Sequence, residues 1–190
     1  LTEDGDALVF TSNRQEKTTD KKKKVRTSPV TGVATFNLYS TRQNAAGEWE
    51  DIELCQGLYQ EPGESEEEDS SAKTTSAELG VCCFSPDGKT MYFTYSCPIN
   101  GQDLGAKIYT STRASGEWGE GQELKLFNDS SITVGHPTLN ATGDTLYFVS
   151  DAPGGYGGKD IYRAVLEGSQ CSDIQNLGPQ INTSDDELYP

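Results

Sequence analysis

The chain has 190 residues, a formal net charge of −15 and 33% hydrophobic residues. It contains no apolar run long enough to predict a membrane-spanning helix, and so acidic a chain lacks the basic surface that nucleic-acid binding requires. A single histidine and irregularly spaced cysteines argue against a Cys/His zinc site, so we expect neither a metal nor a cofactor. Abundant glycine and proline predict short strands joined by turns.

The first predicted unit begins with a turn and a strand, EDGDALVFTSN, in which Gly5 precedes Phe10 by five residues. A second strand carries the sequence NLY at 37–39, and Trp49 and Leu54 follow it. Alternating apolar positions bounded by turn residues are typical of β-strands. This unit therefore predicts a small antiparallel sheet.

Two charged inserts adjoin the strands of this unit. The basic insert, residues 14–34, contains four consecutive lysines: Lys21, Lys22, Lys23 and Lys24. The acidic insert, residues 57–77, contains three consecutive glutamates: Glu66, Glu67 and Glu68. In an antiparallel unit these two connections emerge on the same rim, so we predict that they form a partner-binding surface. The alternative interpretation is two solvated loops that bind nothing.

The turn and strand recur twice, as PDGKTMYFTYS and ATGDTLYFVSD, with the same spacing from glycine to phenylalanine. A strand follows each copy as KIY and then DIY, and both copies continue with a bulky residue and a leucine: Trp118 and Leu124, then Cys171 and Leu177. The segments ELGVCCFS and VGHPTLN, which precede the turns, also correspond. Features that keep their order in this way indicate a structural repeat.

Each unit predicts four antiparallel strands, which in the third copy are residues 135–140, 145–150, 160–165 and 174–178. Strands such as MYFTYS are apolar on both faces, as expected where sheets cover one another. We therefore predict an all-β fold: a β-propeller segment of about three four-stranded blades in a ring of about six. The predicted divisions are strands 1–56, the acidic insert 57–77, blades 78–127 and 134–181, and the first strand of a further blade at 185–190.

Several residues have a structural and a functional interpretation. The loop APGGYGGK is predicted to be a hairpin because a strand follows it, whereas a phosphate site requires a helix. Asp160 is predicted to tie this loop through backbone N–H groups, with calcium binding as the alternative. Cys82 and Cys83 should lie on opposite faces of a strand. Trp49 and Trp118 are predicted to pack between blades, with exposed partner contact as the alternative.

The segments HPTLNATGDTLYFVSDAPGGYGGKDIYRA and NLGPQINTSDDELYP resemble the TolB-like, WD-repeat-like propellers of Bacteroidetes OmpA-family envelope proteins, including those of type IX secretion. The resemblance is specific over 134–190 and looser before it. It implies a periplasmic, outer-membrane-associated lipoprotein whose partners are envelope proteins of a secretion or outer-membrane complex. It also implies a peptidoglycan-binding domain that would follow the propeller, and it assigns no glycan-binding residue to this chain.

The leading functional interpretation is a non-catalytic scaffold that presents loops to protein partners. His136 is predicted to line the central channel, and no nucleophile motif accompanies it that would indicate a catalytic triad. Two alternatives remain: a propeller that gates a peptidase domain, and one that binds a glycan or small ligand in its channel. The second would draw on Glu78, His136 and Glu187.

Overall fold

The structure is a computed structural model that describes residues 7–14, 27–28, 32–58, 77–96 and 105–190. All regular secondary structure in these ranges is β, arranged as three antiparallel sheets. No helix in the described ranges is long and apolar enough to cross a membrane. The all-β prediction is therefore confirmed.

Sheet 1 contains β1 (Ala7–Ser12), β2 (Asn37–Arg42) and β3 (Glu53–Leu54), in that spatial order. Phe10 pairs with Tyr39, and Tyr39 pairs with Leu54 on its other side. The apolar residues that recur in the sequence repeat therefore lie side by side across the sheet.

Sheet 2 contains β4 (Glu78–Phe84), β5 (Thr90–Ser96), β6 (Ala106–Ala114) and β7 (Glu117–Trp118), and β8 (Gln122–Glu123) also pairs with β6. Its outer strand is thus split in two. The N–H of Gly121 donates to the carbonyl of Leu58, 2.8 Å away, instead of to β6. This bond interrupts the ladder and ties sheet 2 to the segment that leaves sheet 1.

Sheet 3 contains β9 (Val134–Leu139), β10 (Thr145–Ser150), β11 (Asp160–Glu167) and β12 (Gln170–Asn176), ordered β12-β11-β10-β9. The outer strand was predicted at residues 174–178, but the observed strand, β12, begins four residues earlier and ends at Asn176. A tight turn at Gly168, with φ of +67°, lets β12 begin at Gln170. Residues 185–190 form one isolated bridge, from Asp186 to Lys159, so their role as the first strand of a further blade stays a prediction.

The hairpins that join the first two strands of sheets 2 and 3 have the predicted glycine turns. Gly88 and Gly143 adopt φ of +65° and +76°, a region that side chains disfavour. The Gly88 N–H donates to the Ser85 carbonyl at 2.8 Å, and Gly143 does the same to Asn140 at 3.1 Å. The recurring glycine is therefore required by the backbone of the turn.

Two apolar clusters hold the three sheets face to face. The first joins sheet 1 to sheet 2 and includes Leu38, Leu58, Met91 and Phe93. The second joins sheet 2 to sheet 3 and includes Tyr92, Ile108, Leu146, Phe148 and Tyr162. The adjacent residues Tyr92 and Phe93 thus point to different neighbours, and sheet 2 is covered on both sides. Successive antiparallel sheets packed in this way form a segment of a β-propeller.

The cysteines follow the same alternation. Cys82 packs against the first cluster and Cys83 against the second, as the sequence predicts. Cys55, Cys82, Cys83 and Cys171 are free thiols, and Cys97 lies outside the described residues. Burial raises the pKa of both Cys82 and Cys83 to about 12.

We expect these two partly buried thiols to resist alkylation, because the thiolate is the reactive form and the raised pKa keeps both thiols protonated. Iodoacetamide at pH 8 should leave Cys82 and Cys83 unmodified in the native protein and should modify both after denaturation in guanidinium. Peptide mass analysis of the two samples measures the difference. Equal labelling before and after denaturation would contradict the packing described for these strands.

The two tryptophans differ in their surroundings. Trp118 packs against the first cluster, 5.8 Å from the ring of Phe84, so its placement between sheets is confirmed. Trp49 is 50% exposed, so the prediction of packing between blades is wrong for this residue. Trp49 bridges to Gln43, beyond the last residue of β2, and it is therefore held at the sheet margin instead of between two sheets.

Candidate functional site

The connections that vary most between repeats share one edge of the sheets. The basic insert leaves β1 after Ser12 and returns at Asn37, which pairs with Ser12. The acidic insert leaves β3 after Leu54, which pairs with Tyr39 near the same end of β2. In sheet 3 the glycine-rich loop (151–159) and the segment 177–190 leave the corresponding ends of their strands. We call this edge the loop-bearing rim.

The lysines and glutamates of the predicted partner-binding surface lie outside the described residues. This holds for Lys21, Lys22, Lys23, Lys24, Glu66, Glu67 and Glu68. The described flanks place the roots of the two inserts at one end of sheet 1. The docking role of the side chains themselves stays a prediction.

The root of the basic insert is fixed by Arg14. Its guanidinium carbon lies 4.7 Å from the ring centre of Phe10 and 5.2 Å from that of Tyr39. The Tyr39 hydroxyl donates to the Arg14 carbonyl at 3.0 Å. Cation–π contact and this hydrogen bond therefore hold the point at which the insert begins.

The glycine-rich loop of the rim is organised by Asp160, which is 1% exposed. Its carboxylate accepts the N–H of Tyr156 at 2.6 Å, the N–H of Gly157 at 3.0 Å and the side-chain amide of Asn176 at 2.8 Å. The strand β11 begins at Asp160 itself, so the hairpin interpretation and the predicted tie are both confirmed. The Asp160 carboxylate therefore already accepts the hydrogen bonds of the loop N–H groups that would have to bind a phosphate.

Asn182 extends this buried polar network and is not predicted from the sequence. Its side-chain oxygen accepts the N–H of Ile161 at 2.8 Å, and its amide donates to the Ile161 carbonyl at 3.0 Å and to the Asn176 side chain at 2.8 Å. Asn182 is 2% exposed. The network fastens segment 177–190 to the start of β11, which gives the rim a rigid base.

The repeat position of Asp160 is occupied by Lys107 in sheet 2, where KIY replaces DIY. The Lys107 ammonium donates to the carbonyls of Ser130, at 2.7 Å, and Ile132. The same repeat position therefore anchors a connection at the rim in both sheets. Asp160 accepts N–H groups of the hairpin that precedes β11, and Lys107 donates to carbonyls of the segment that leads to β9.

His136 lies on β9, the edge strand of sheet 3, with φ of +52°. Its N–H donates to the Thr94 hydroxyl of sheet 2 at 2.9 Å, and its ring stacks on Tyr189 with a centre separation of 4.2 Å. Burial, and secondarily the charge of Lys159, lower the pKa of His136. Its role in lining a channel stays a prediction.

The two glutamates predicted to accompany His136 have separate structural settings. Glu78 begins β4, where it pairs with Ser96 of β5. The Glu187 carboxylate accepts the N–H and the hydroxyl of Thr183, at 3.0 and 2.5 Å. In the described ranges no group of three or more His, Cys, Asp or Glu side chains is arranged to hold a metal ion.

No protein-family model matches the chain, and no curated protein matches it. Among solved structures, it is similar to TolB from Acinetobacter baumannii, with 15% identity and a TM-score of 0.49 over 93% of this chain and 30% of that one. It is also similar to a puromycin-hydrolysing peptidase of Mycobacterium tuberculosis, with 13% identity and a TM-score of 0.31 over 92% of this chain and 38% of that one. The chain thus spans less than half the length of either protein, and its fold assignment rests on the sheet packing described above.

Proposed function

We propose that this chain is a non-catalytic protein-interaction module in which packed sheets display the loop-bearing rim to a protein partner. The observation that supports it most directly is the common origin of the two charged inserts. Their roots lie at one end of sheet 1, and Arg14, Phe10 and Tyr39 fix one of them. Loops of opposite charge on a rigid frame can select a partner through charge complementarity.

The state of the titratable side chains also favours a scaffold. The Asp160 carboxylate is engaged by three donors that maintain the rim. Burial raises the pKa of Cys171 to about 11, and that of Cys82 to about 12. A nucleophilic thiol requires the opposite shift, towards a lower pKa. These groups therefore serve packing and loop anchoring.

At finer detail, we propose a periplasmic, outer-membrane-associated setting, with envelope proteins of a secretion or outer-membrane complex as partners. The resemblance of 134–190 to OmpA-family envelope propellers, such as the type IX secretion component PorE, supports this setting. Peptidoglycan would be contacted through a separate domain. Affinity capture from envelope extracts, followed by mass identification of the captured proteins, tests the setting.

Removing both inserts tests the proposed function. We expect deletion of 15–26 together with 60–75 to leave the unfolding transition unchanged. It should lower partner capture by about tenfold or more, and tenfold corresponds to a loss of about 1.4 kcal/mol in binding free energy. A variant in which Lys21, Lys22, Lys23 and Lys24 become serine keeps the loop length and separates charge from bulk. Undiminished capture by the deletion variant would remove the proposal.

A further inference from the structure

One arginine at the loop-bearing rim is held in place while the end of its side chain stays open. Arg14 is exposed, and its guanidinium carbon lies 4.7 Å from the ring centre of Phe10 and 5.2 Å from that of Tyr39. Its Nε donates to the Ser12 hydroxyl at 3.3 Å, and its backbone N–H donates to the same oxygen at 3.1 Å. Stacking and hydrogen bonding therefore orient a side chain that is usually flexible.

These contacts leave the two terminal nitrogens of Arg14 available. In the part of the chain that the structure describes, its hydrogen bonds use only the backbone and Nε, and no ion pair includes it. A guanidinium presents its donors in a planar fork that matches the two oxygens of a carboxylate. Because folding already orients this fork, a carboxylate that binds it loses less free energy to ordering the side chain.

The other sheets show that packing at this position does not require a cation. Each sheet pairs a phenylalanine with a tyrosine across its second and third repeat strands: Phe10 with Tyr39, Phe93 with Tyr109, and Phe148 with Tyr162. In sheet 2, Leu58 belongs to the same apolar cluster as the pair, and in sheet 3, Phe127 lies 6.2 Å from both rings. In sheet 1 the guanidinium of Arg14 lies over the pair instead. Since an apolar side chain serves for packing, the charge of Arg14 indicates a further role.

The segment that begins at Arg14 is strongly basic, although the chain as a whole is acidic. Residues 14–26 contain seven cationic and two anionic side chains, a net charge of +5. The contacts that orient Arg14 come from Phe10, Ser12 and Tyr39 of sheet 1. An oriented guanidinium followed by further cations is complementary to an acidic segment.

We propose that Arg14 binds a carboxylate in an acidic segment of a partner protein. Its two terminal nitrogens donate to the two oxygens of an aspartate or glutamate, while the rings of Phe10 and Tyr39 support the guanidinium. The cations that follow in the sequence add an attraction that salt weakens. This inference rests on the proposed function, since it names the chemistry of a partner for the same rim.

Subtractive selection from a phage-displayed library of random 12-residue peptides tests this inference. The library is first depleted on immobilised Arg14→Gln, and the unbound phage are then selected on the wild-type chain. We expect the retained peptides to be enriched in Asp and Glu. A synthetic, fluorescein-labelled copy of the most enriched peptide should bind about tenfold or more weakly to Arg14→Gln than to the wild type, because a charge-assisted bidentate contact is lost.

Two further variants separate the geometry of the contact from its charge. Arg14→Lys keeps the charge but loses the planar fork, so it should bind the peptide about fivefold or more weakly than the wild type. Phe10→Leu keeps an apolar residue but removes one ring that orients the guanidinium, and it should weaken binding about threefold. Full affinity in Arg14→Lys would show that any positive charge suffices and would overturn the bidentate contact.

Arg113→Gln is the matched control, because Arg113 also lies over an aromatic ring, 5.6 Å from the centre of Trp118, but near the end of β6 that is remote from the rim. Its peptide affinity should equal that of the wild type, and urea unfolding verifies that each variant is folded. Retention of no peptide, retained peptides without enrichment in Asp and Glu, or equal binding by Arg14→Gln would overturn the inference.

The inference and the proposed function can fail separately. The chain lacking 15–26 and 60–75 keeps Arg14, Phe10 and Tyr39, and Arg14→Gln keeps everything that the deletion removes. Loss of envelope-protein capture in the deletion variant but not in Arg14→Gln would support the proposed function and overturn the inference. Peptide binding that survives the deletion would support the inference even if the proposed function failed. Peptide binding seen only after removal of 60–75 would assign Arg14 to the acidic insert of its own chain and would overturn the inference.

Discussion

Asp160→Ala should lower the free energy of unfolding by roughly 3–5 kcal/mol, because each buried donor left without an acceptor costs about 1–3 kcal/mol. The substitution strands the N–H groups of Tyr156 and Gly157 and the amide of Asn176. Urea unfolding followed by circular dichroism measures the loss. Because Asp160 is only 1% exposed, water has little access to the site and cannot readily accept the hydrogen bonds that the carboxylate accepts.

Two further variants define the cause of that loss. Asp160→Asn preserves the side-chain shape but replaces one acceptor oxygen with a donor, so its loss should be smaller than that of alanine. Asp185→Ala removes an exposed carboxylate from the neighbouring segment and should stay within about 0.5 kcal/mol of the wild type. A stability loss for Asp160→Ala no larger than that of Asp185→Ala would show that the network does not anchor the loop.

Phe148→Ala should cost about 3–5 kcal/mol, the usual range for removing a buried aromatic side chain. Phe148 is 0% exposed, and its ring lies 5.8 Å from that of Tyr162 and 6.2 Å from that of Phe127. Because the cavity opens between sheets 2 and 3, the tryptophan fluorescence, from Trp49 and Trp118, and the circular dichroism signal should shift to lower urea together. Phe36→Ala, at a residue 40% exposed, is the matched control and should cost less than about 1 kcal/mol.

Separate transitions for the two signals would contradict cooperative packing of the sheets. A midpoint for Phe148→Ala equal to that of Phe36→Ala would contradict the burial of Phe148 itself. The first outcome concerns coupling between sheets and the second concerns one side chain, so the two can be distinguished.

The sequence predicted those features that depend on local period or on repeat spacing. Gly88 and Gly143 were predicted as turns because the same distance to a phenylalanine recurs, and the alternation along β4 placed Cys82 and Cys83 on opposite faces. Asp160 was predicted to tie its loop because its partners, Tyr156 and Gly157, are only a few residues away.

Features that depend on distant segments were not predicted. Asn182 bonds to Ile161 across 21 residues, and Tyr189 reaches His136 across 53. The outer strand of sheet 2 is divided because Gly121 bonds to Leu58 of another unit. None of these contacts has a local pattern. The anchoring by Asn182 and the stacking of Tyr189 on His136 are therefore seen only once the backbone has brought the distant segments together.

The exchange of Lys107 for Asp160 constrains how such repeats can diverge. The Asp160 anion holds N–H groups of the hairpin that precedes β11, whereas the Lys107 cation holds carbonyls of the segment that leads to β9, so the same repeat position fixes a different connection in each sheet. Recombination that joined the KIY strand to the glycine-rich loop would bring a positive charge against the loop's donor groups. The repeats are therefore not interchangeable at this position, because each anchoring side chain fits the connection of its own sheet.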